Sequence, residues 1–539
     1  MIGAESRTMR SIGWLPGLQD AEVAEWQALT FDGELELRIP RLSPAGLAAQ
    51  LRRIAVAGDA YLADLPVDRI VTALDRVANR WLDPASVYRR EAEQLLPRIT
   101  GYSEPAVRKG LASYLGLLRG ENLRRLLEEE LPEPRVLDRF VPRARAGGWT
   151  RAFGPRLTVH VWSGNVPGLP AQSLVAALLV KSASFGKVAS EEPLFATLLA
   201  ESISEVDPDL AACMAVGYWR GGDAQLESIA FGQADTVIAY GSEHAIEAVR
   251  SRVPGDTRFV AYGHKLSFGA IGREALTTPQ LSDTLQRAAY DVVKYDQQGC
   301  LSPHLLYVER GGDTSPREFA RALSQTLGEY AEKVPRGRLT LEESSSFAQL
   351  RQQYEMRQVL ADAERGDETR NMAGDARRES SAAVPPSLAD KPSYEADGSK
   401  VAVFDASDAV VVYEPDPRFE ASCLNRLVFV KPVDDLVADV PRLAAGVRRY
   451  LQTCGVAASS DRTRALALGL GRLGLDRVCP LGRMGDVAAT WHHDGRFNLL
   501  ELLRWTDLEP DASAGRWEFE NPELGLYGNP STQGELDGN

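Results

Sequence analysis

The sequence predicts an α/β protein in which two blocks of parallel sheet follow a mostly helical region. Three observations carry this. Between residues 157 and 269 short apolar runs alternate with helical runs, the pattern of βαβ units and a mostly parallel sheet. A second alternating block spans 281 to about 498. Ahead of both, apolar residues in the first 130 positions recur three and four apart, the period of amphipathic helices.

Residues 1 to about 35 are polar and mixed and predict little, and 34–39 alternates like a short strand. Helices are expected at 47–57, 67–81, 88–96, 104–118 and 123–131. The texture changes at Pro132, and 135–155 holds two extended runs around Gly147-Gly148, which predicts a β-hairpin. In the first alternating block, strands are expected at 157–162, 185–188, 213–218, 236–240 and 259–262. Helices are expected between them, at 169–182, 193–204, 224–231 and 243–252. Ligands of such sheets bind beyond the carboxyl ends of the strands. The second block predicts helices at 316–333 and 341–363 and strands at 401–404, 409–413 and 427–430. Its stretch 365–400 is polar and poor in apolar residues, so a partly disordered surface excursion is expected there. Residues 510–539 read as a polar tail, and no internal repeat is evident.

Composition narrows the function. Hydrophobic residues at 44% and charged residues at 25% are ordinary for a soluble globular protein. A net charge of −14 argues against nucleic acid as the main partner, because phosphate binding needs a basic face. No apolar run approaches the ~20 residues of a membrane span, and Met1 to Trp14 lacks the pattern of a signal peptide. The five cysteines are scattered and form no CxxC pair, so neither a metal site nor a disulfide framework is expected. A cytoplasmic location follows as the expectation.

The stretch that organises the rest is Tyr295-Asp296-Gln297-Gln298-Gly299-Cys300-Leu301-Ser302-Pro303-His304, between a helical run (281–294) and an apolar strand run (305–308). Cys300, set between a Gly and a Pro in a helix-to-strand connection, reads as a nucleophile that carries an acyl group as a thioester. The competing reading is a free cysteine acting as a small buried hydrophobe. Asn165, in Trp162-Ser163-Gly164-Asn165-Val166-Pro167-Gly168 at a strand end, has an amide able to donate to an oxyanion. As a residue alone it reads equally as a turn Asn bonding its own backbone. Lys187 at a strand end, before a Ser190 able to cap a helix, suits a ribose or phosphate; a solvated Lys beside an ordinary cap is the alternative. Gly241-Ser242, where a strand ends and a helix begins, offers backbone N–H groups to a pyrophosphate, although it is not GxGxxG. His264 and His304 are weak candidates for moving a proton.

Asn165, the Lys187 segment, Gly241-Ser242 and Cys300 occur in the order and with the spacing of the aldehyde dehydrogenase superfamily. Within it the chain resembles the LuxC-type acyl-CoA reductases over roughly 80–510, through Ser-Gly-Asn-Val-Pro-Gly, Asp-Gln-Gln-Gly-Cys-Leu-Ser-Pro, Leu-Gln-Thr and Trp-His-His-Asp-Gly (491–495). The resemblance implies a helical N-terminal region (1–132), a hairpin arm for oligomerisation (133–156) and a Rossmann-type dinucleotide domain (157–275). A catalytic domain (276–509) and the tail would follow. It implies Cys300 as nucleophile, Asn165 and the Cys300 N–H as oxyanion hole, and Lys187 with Gly241-Ser242 as the dinucleotide site.

Two departures from the superfamily pattern bear on function. Lys187-Val188-Ala189-Ser190 has Ser where a Glu grips the ribose of NAD, which favours NADPH over NADH. Ala261-Tyr262-Gly263-His264-Lys265 replaces the run whose Glu activates water, so no carboxylate is expected beside Cys300 and the reductive direction is favoured. Together these imply NADPH-dependent reduction of an acyl-CoA or acyl-carrier-protein thioester to an aldehyde, with an acyl-activating enzyme as a partner and a homodimer or homotetramer as the assembly. The rivals are an NAD(P)-dependent aldehyde dehydrogenase forming free acid, and a non-catalytic acyl-carrier docking subunit.

Overall fold

The computed structural model describes residues 8–143, 145, 147–375 and 400–509. The tail expected at 510–539 and residues 376–399 of the expected excursion lie outside them.

The chain opens with β1 (Thr8–Ser11), β2 (Val23–Phe31) and β3 (Leu35–Leu42), a three-stranded sheet in the order β1-β3-β2. The alternation at 34–39 falls on β3. No residue of β2 is fully buried, so its composition gives no sign of a strand. Ser43 then accepts from the Gly46 N–H at 3.0 Å and starts α1 (Pro44–Tyr61). Next come α2 (Val67–Leu82), α3 (Val87–Thr100), α4 (Glu104–Leu117) and α5 (Gly120–Glu130), each overlapping a predicted run. In α2 the residues Ile70, Leu74, Val77 and Trp81 are all buried, which is the predicted apolar face.

β4 (Val141–Pro142) and β5 (Trp149–Phe153) pair antiparallel, with Gly147 and Gly148 both left-handed at φ 72° and 71°. This is the predicted hairpin. A strand from the far end of the chain, Arg504–Leu508, adds to the other edge of β5, a pairing no local pattern announces.

β6 (Leu157–Val161), β7 (Ala183–Lys187), β8 (Met214–Gly217), β9 (Thr236–Tyr240) and β10 (Arg258–Tyr262) form a wholly parallel sheet in the order β10-β9-β6-β7-β8. α6 (Leu169–Leu179), α7 (Phe195–Val206), α8 (Pro208–Ala212), α9 (Ala224–Gln233) and α10 (Glu243–Arg250) connect the strands. Strand order reverses between β6 and β9, so the crevice beyond their carboxyl ends is the topological switch point.

Only residues 263–265 separate β10 from β11 (Leu266–Ile271), and β11 belongs to a different sheet. It pairs with β12 (Pro303–Glu309), which follows α11 (Thr278–Val293). The resemblance implies a dinucleotide domain of 157–275, which includes 266–271; these residues pair in the second sheet, and a link of three residues carries no compositional mark of the change. After α12 (Pro316–Lys333), α13 runs Leu341–Asp375, past the end expected at 363, so the first part of the expected excursion is helical.

The sheet is completed by β13 (Ala402–Ala406), β14 (Ala409–Tyr413), β15 (Leu427–Val433), β16 (Leu451–Ala457) and β17 (Arg477–Pro480). α14 (Leu436–Ala444) and α15 (Ser460–Leu473) cross over between strands, and β18 (Arg504–Leu508) is the strand on the β5 edge. The order is β13-β14-β15-β12-β11-β16-β17, parallel except for β13. Because β10 runs almost directly into β11, the carboxyl ends of the five-stranded sheet face the amino ends of the seven-stranded sheet.

Candidate active site

One cavity of about 660 Å³ lies where the two sets of strand ends meet. Asn165 reaches it from the end of β6, Gly241 and Ser242 from the end of β9, and Cys300 from the loop before β12. Thus four of the six residues singled out in the sequence line one cavity, together with His264 and His304. Lys187 ends β7 half-buried and Ser190 follows it; neither is among the lining residues. Ser190 caps no helix. Glu192 does that work, accepting from the N–H groups of Leu194 and Phe195 at 2.9 and 2.8 Å. Ser242 does cap α10, accepting from the Ala245 N–H at 3.3 Å.

The Cys300 loop is held from both sheets. Ser267 at the start of β11 donates to the Cys300 carbonyl at 2.7 Å, and the Thr453 N–H donates to that same Ser267 hydroxyl at 3.2 Å. Asn165 donates through Nδ2 to the Gln298 carbonyl at 3.0 Å, two residues before the cysteine, while its Oδ1 accepts from Ser163. Nδ2 carries a second N–H. Its backbone carbonyl accepts from the Tyr102 hydroxyl at 2.7 Å, which ties the segment to the helical region.

Cys300 is exposed and lines the cavity. Burial pushes its thiol up to about 11, and the Asp494 carboxylate adds to the rise. Gln452 and Lys265 oppose it. Cys300 is thus held as a thiol in the resting site. His304 is buried, bonds Ser422, and is pushed down to about 4 by its burial and by His264, so it is neutral at physiological pH.

The expectation of no carboxylate beside Cys300 is overturned. Ala261 stands where the superfamily has its Glu, but Asp494 lines the cavity with Cys300 from the C-terminal segment. Its Oδ1 accepts from Gln452 at 2.8 Å, and its Oδ2 lies 3.9 Å from Lys265 Nζ, which bonds Asp476 at 3.0 Å. Burial raises the Asp494 carboxyl above its ordinary value. His493 beside it is buried, stacked on Tyr262 at 4.1 Å, and pushed down to about 3 by burial, so it is a neutral packing ring. Trp-His-His-Asp-Gly was visible in the sequence as a motif, yet its Asp had no assigned chemistry. Only the fold brings residue 494 to residue 300.

An apolar wall comes from Phe31 at the end of β2 and from the helices that follow: Ile99, Tyr114 and Leu117 line the cavity with Val166 and Leu169. That apolar wall was not foreseen, because nothing in the N-terminal sequence marks it as part of a site. Among the described residues no group of three or more His, Cys, Asp or Glu is placed to hold a metal, and no helix is long and apolar enough to cross a membrane.

A cysteine and an Asn amide at the meeting of two parallel sheets define the class. The fold is that of the aldehyde dehydrogenases. The chain superposes on the aldehyde dehydrogenase KauB from Pseudomonas aeruginosa with a TM-score of 0.67 at 13% identity, covering 92% of this chain and 96% of that one. Lactaldehyde dehydrogenase from Escherichia coli gives a TM-score of 0.64 at 13% identity, over 93% and 99% of the two chains.

Within that class the chain belongs to the acyl-CoA reductase (LuxC) family, whose model matches residues 62–373 and 395–505. A long-chain acyl-protein thioester reductase from Photorhabdus luminescens is 30% identical over 290 residues, 53% of this chain and 58% of the relative. One from Aliivibrio fischeri is 28% identical over 451 residues, 83% of each chain. The match to the Photorhabdus protein thus spans little more than half of that relative's length.

Proposed function

We propose that this protein reduces an acyl thioester, of coenzyme A or a carrier protein, to an aldehyde through an acyl-Cys300 intermediate, with NADPH as reductant. The observation that carries the reading is the convergence of Cys300, Asn165 and Gly241-Ser242 on one cavity at the sheet switch point. The relatives named for thioester reduction support it, as does the apolar wall from Phe31 to Leu169, which suits an acyl chain. With Asp494 in the cavity, the lack of a Glu at position 261 does not by itself favour reduction.

Cys300 loses its proton as the thioester enters, since only the thiolate attacks. The new C–S bond leaves negative charge on the carbonyl oxygen. The second Nδ2 hydrogen of Asn165 and the Cys300 N–H receive that charge. The departing thiol takes a proton and the acyl group stays on Cys300. A dinucleotide fits the residues present: Ser242 heads α10, its first-turn N–H groups are suited to phosphate, and Gly241 leaves the approach open. Bound there, NADPH would supply hydride to the acyl carbon of the Cys300 thioester. Collapse of the reduced adduct returns Cys300 for the next cycle.

Glu191 favours NADH as a second reading. It lines the cavity and accepts from Ser190 at 3.0 Å, so the charge absent at 190 is present one residue on. Incubation with NADPH or NADH and a panel of acyl thioesters, reading aldehyde by mass spectrometry, tests both. Free acid as the only product overturns the reduction, and preference for NADH overturns the NADPH assignment. The hairpin of β4 and β5 is proposed as the arm of a homodimer or homotetramer, with an acyl-activating enzyme as upstream partner.

A further inference from the structure

The loop bearing Cys300 contains three consecutive residues in left-handed backbone, none of them glycine: Tyr295, Asp296 and Gln297 at φ 51°, 49° and 62°. A second run, Leu424, Asn425 and Arg426 at φ 65°, 57° and 66°, precedes β15. β15 is the neighbour of β12 in the sheet, so the two arcs lie side by side at its amino edge. Non-glycine residues hold this conformation only when their surroundings enforce it.

The enforcing contacts run from arc to arc. Arg426, fully buried, donates through Nε to Asp296 Oδ1 at 2.7 Å and through Nη1 to Asp408 at 3.0 Å. The other oxygen of Asp296 accepts from the Gly337 N–H at 3.0 Å. One layer nearer the cavity, Gln298 Nε2 donates to Asn425 Oδ1 at 2.7 Å and to Glu343 at 2.9 Å. The carbonyl of that same Gln298 receives the Asn165 amide. Arg426 thus holds Asp296, the backbone carries that hold two residues on to Gln298, and the Gln298 carbonyl meets the Asn165 amide.

We infer that the buried Asp296–Arg426 pair is the positioning device of the acyl-transfer site, locking the two left-handed arcs so that Cys300 and the Asn165 amide keep the spacing an oxyanion hole requires. Neither residue touches the reacting atoms; both act through Gln298. Lysine cannot replace the arginine, because one ammonium cannot span the Asp296 and Asp408 carboxylates as a planar guanidinium does. This rests on reading Cys300 as the nucleophile. Acylation of the protein that survives Cys300→Ala breaks that reading and leaves the clamp aside.

Two reactions of Cys300 separate positioning from mere integrity. Alkylation by iodoacetamide needs a thiol but no oxyanion hole, whereas acylation by an acyl-CoA thioester needs both. In the full-length protein Arg426→Lys is expected to slow acylation, followed by intact mass, by roughly 10-fold to 100-fold, within the range set by loss of an oxyanion donor. Alkylation is expected to stay within about twofold, since the thiol itself is untouched. Adding Arg426→Lys to Asn165→Ala is expected to cost little beyond Asn165→Ala alone, because both act on one hole. Asp296→Asn, which keeps an oxygen for Arg426 Nε and tolerates left-handed backbone, is the second variant should Arg426→Lys not fold. Wild-type acylation, parallel loss of both reactions, independent effects in the double variant, or failure of both variants to fold would each overturn the positioning role.

Discussion

The two sheets build their halves of the cavity in different ways. The five-stranded sheet contributes carboxyl-end turns of ordinary construction: a Gly-Ser pair, a capped helix, an Asn after a strand. The seven-stranded sheet contributes amino-end loops whose backbone is left-handed at six non-glycine positions and is held by a fully buried arginine. Left-handed backbone costs an ordinary residue on the order of 1–2 kcal/mol. The first half is thus local in origin and the second depends on long-range contacts. Substitutions in the two halves should fail differently.

The largest effect is expected at Cys300, the proposed nucleophile. Cys300→Ala abolishes acyl-enzyme labelling and aldehyde formation, and retained labelling by mass spectrometry would place the nucleophile elsewhere. Next is Asn165→Ala, where loss of an oxyanion donor lowers the acylation rate by about 10²–10³. A fall of less than about threefold would remove Asn165 from the hole, since a neutral hydrogen bond alone is worth about that much.

Smaller still is the effect of the carboxylate found by the fold. Asp494 in its ionised form repels a thiolate, so Asp494→Asn should let Cys300 ionise at a lower pH than about 11. The alkylation midpoint should move down by about one unit. An unmoved or higher midpoint would show that Asp494 does not act on Cys300 in solution. The smallest effect belongs to a local cap: Ser242→Ala, removing a 3.3 Å bond to the Ala245 N–H, should lower Tm by roughly 2 °C or less. A large fall there would mean that the first half of the cavity is not locally built.

Much of the molecule could be read before folding it. The five strands and the helices between them, from β6 to β10, follow from alternation in runs of apolar and helical periodicity, because β6 to β9 are almost wholly buried, while β10 buries only Val260 fully. β2 was missed for the opposite reason, since it buries none fully. Cys300, Asn165, Gly241 and Ser242 were identifiable because turn chemistry and order along the chain mark them. The roles of Lys265, Gln452 and Asp494 were not: all three lie in runs the sequence singles out, but a sheet connection, β16 and the C-terminal segment meet only in the fold.

The sequence by itself marked the two parallel-sheet blocks and the turns that carry Cys300 and Asn165, since periodicity and turn-forming residues act over a few positions. Tertiary structure alone decided where the sheets divide, which carboxylate faces the thiol, and what holds the cysteine loop in shape. Those outcomes depend on charges and strand ends more than a hundred residues apart, such as Asp296 and Arg426. No local pattern encodes a contact whose energy exists only once the chain has closed around it.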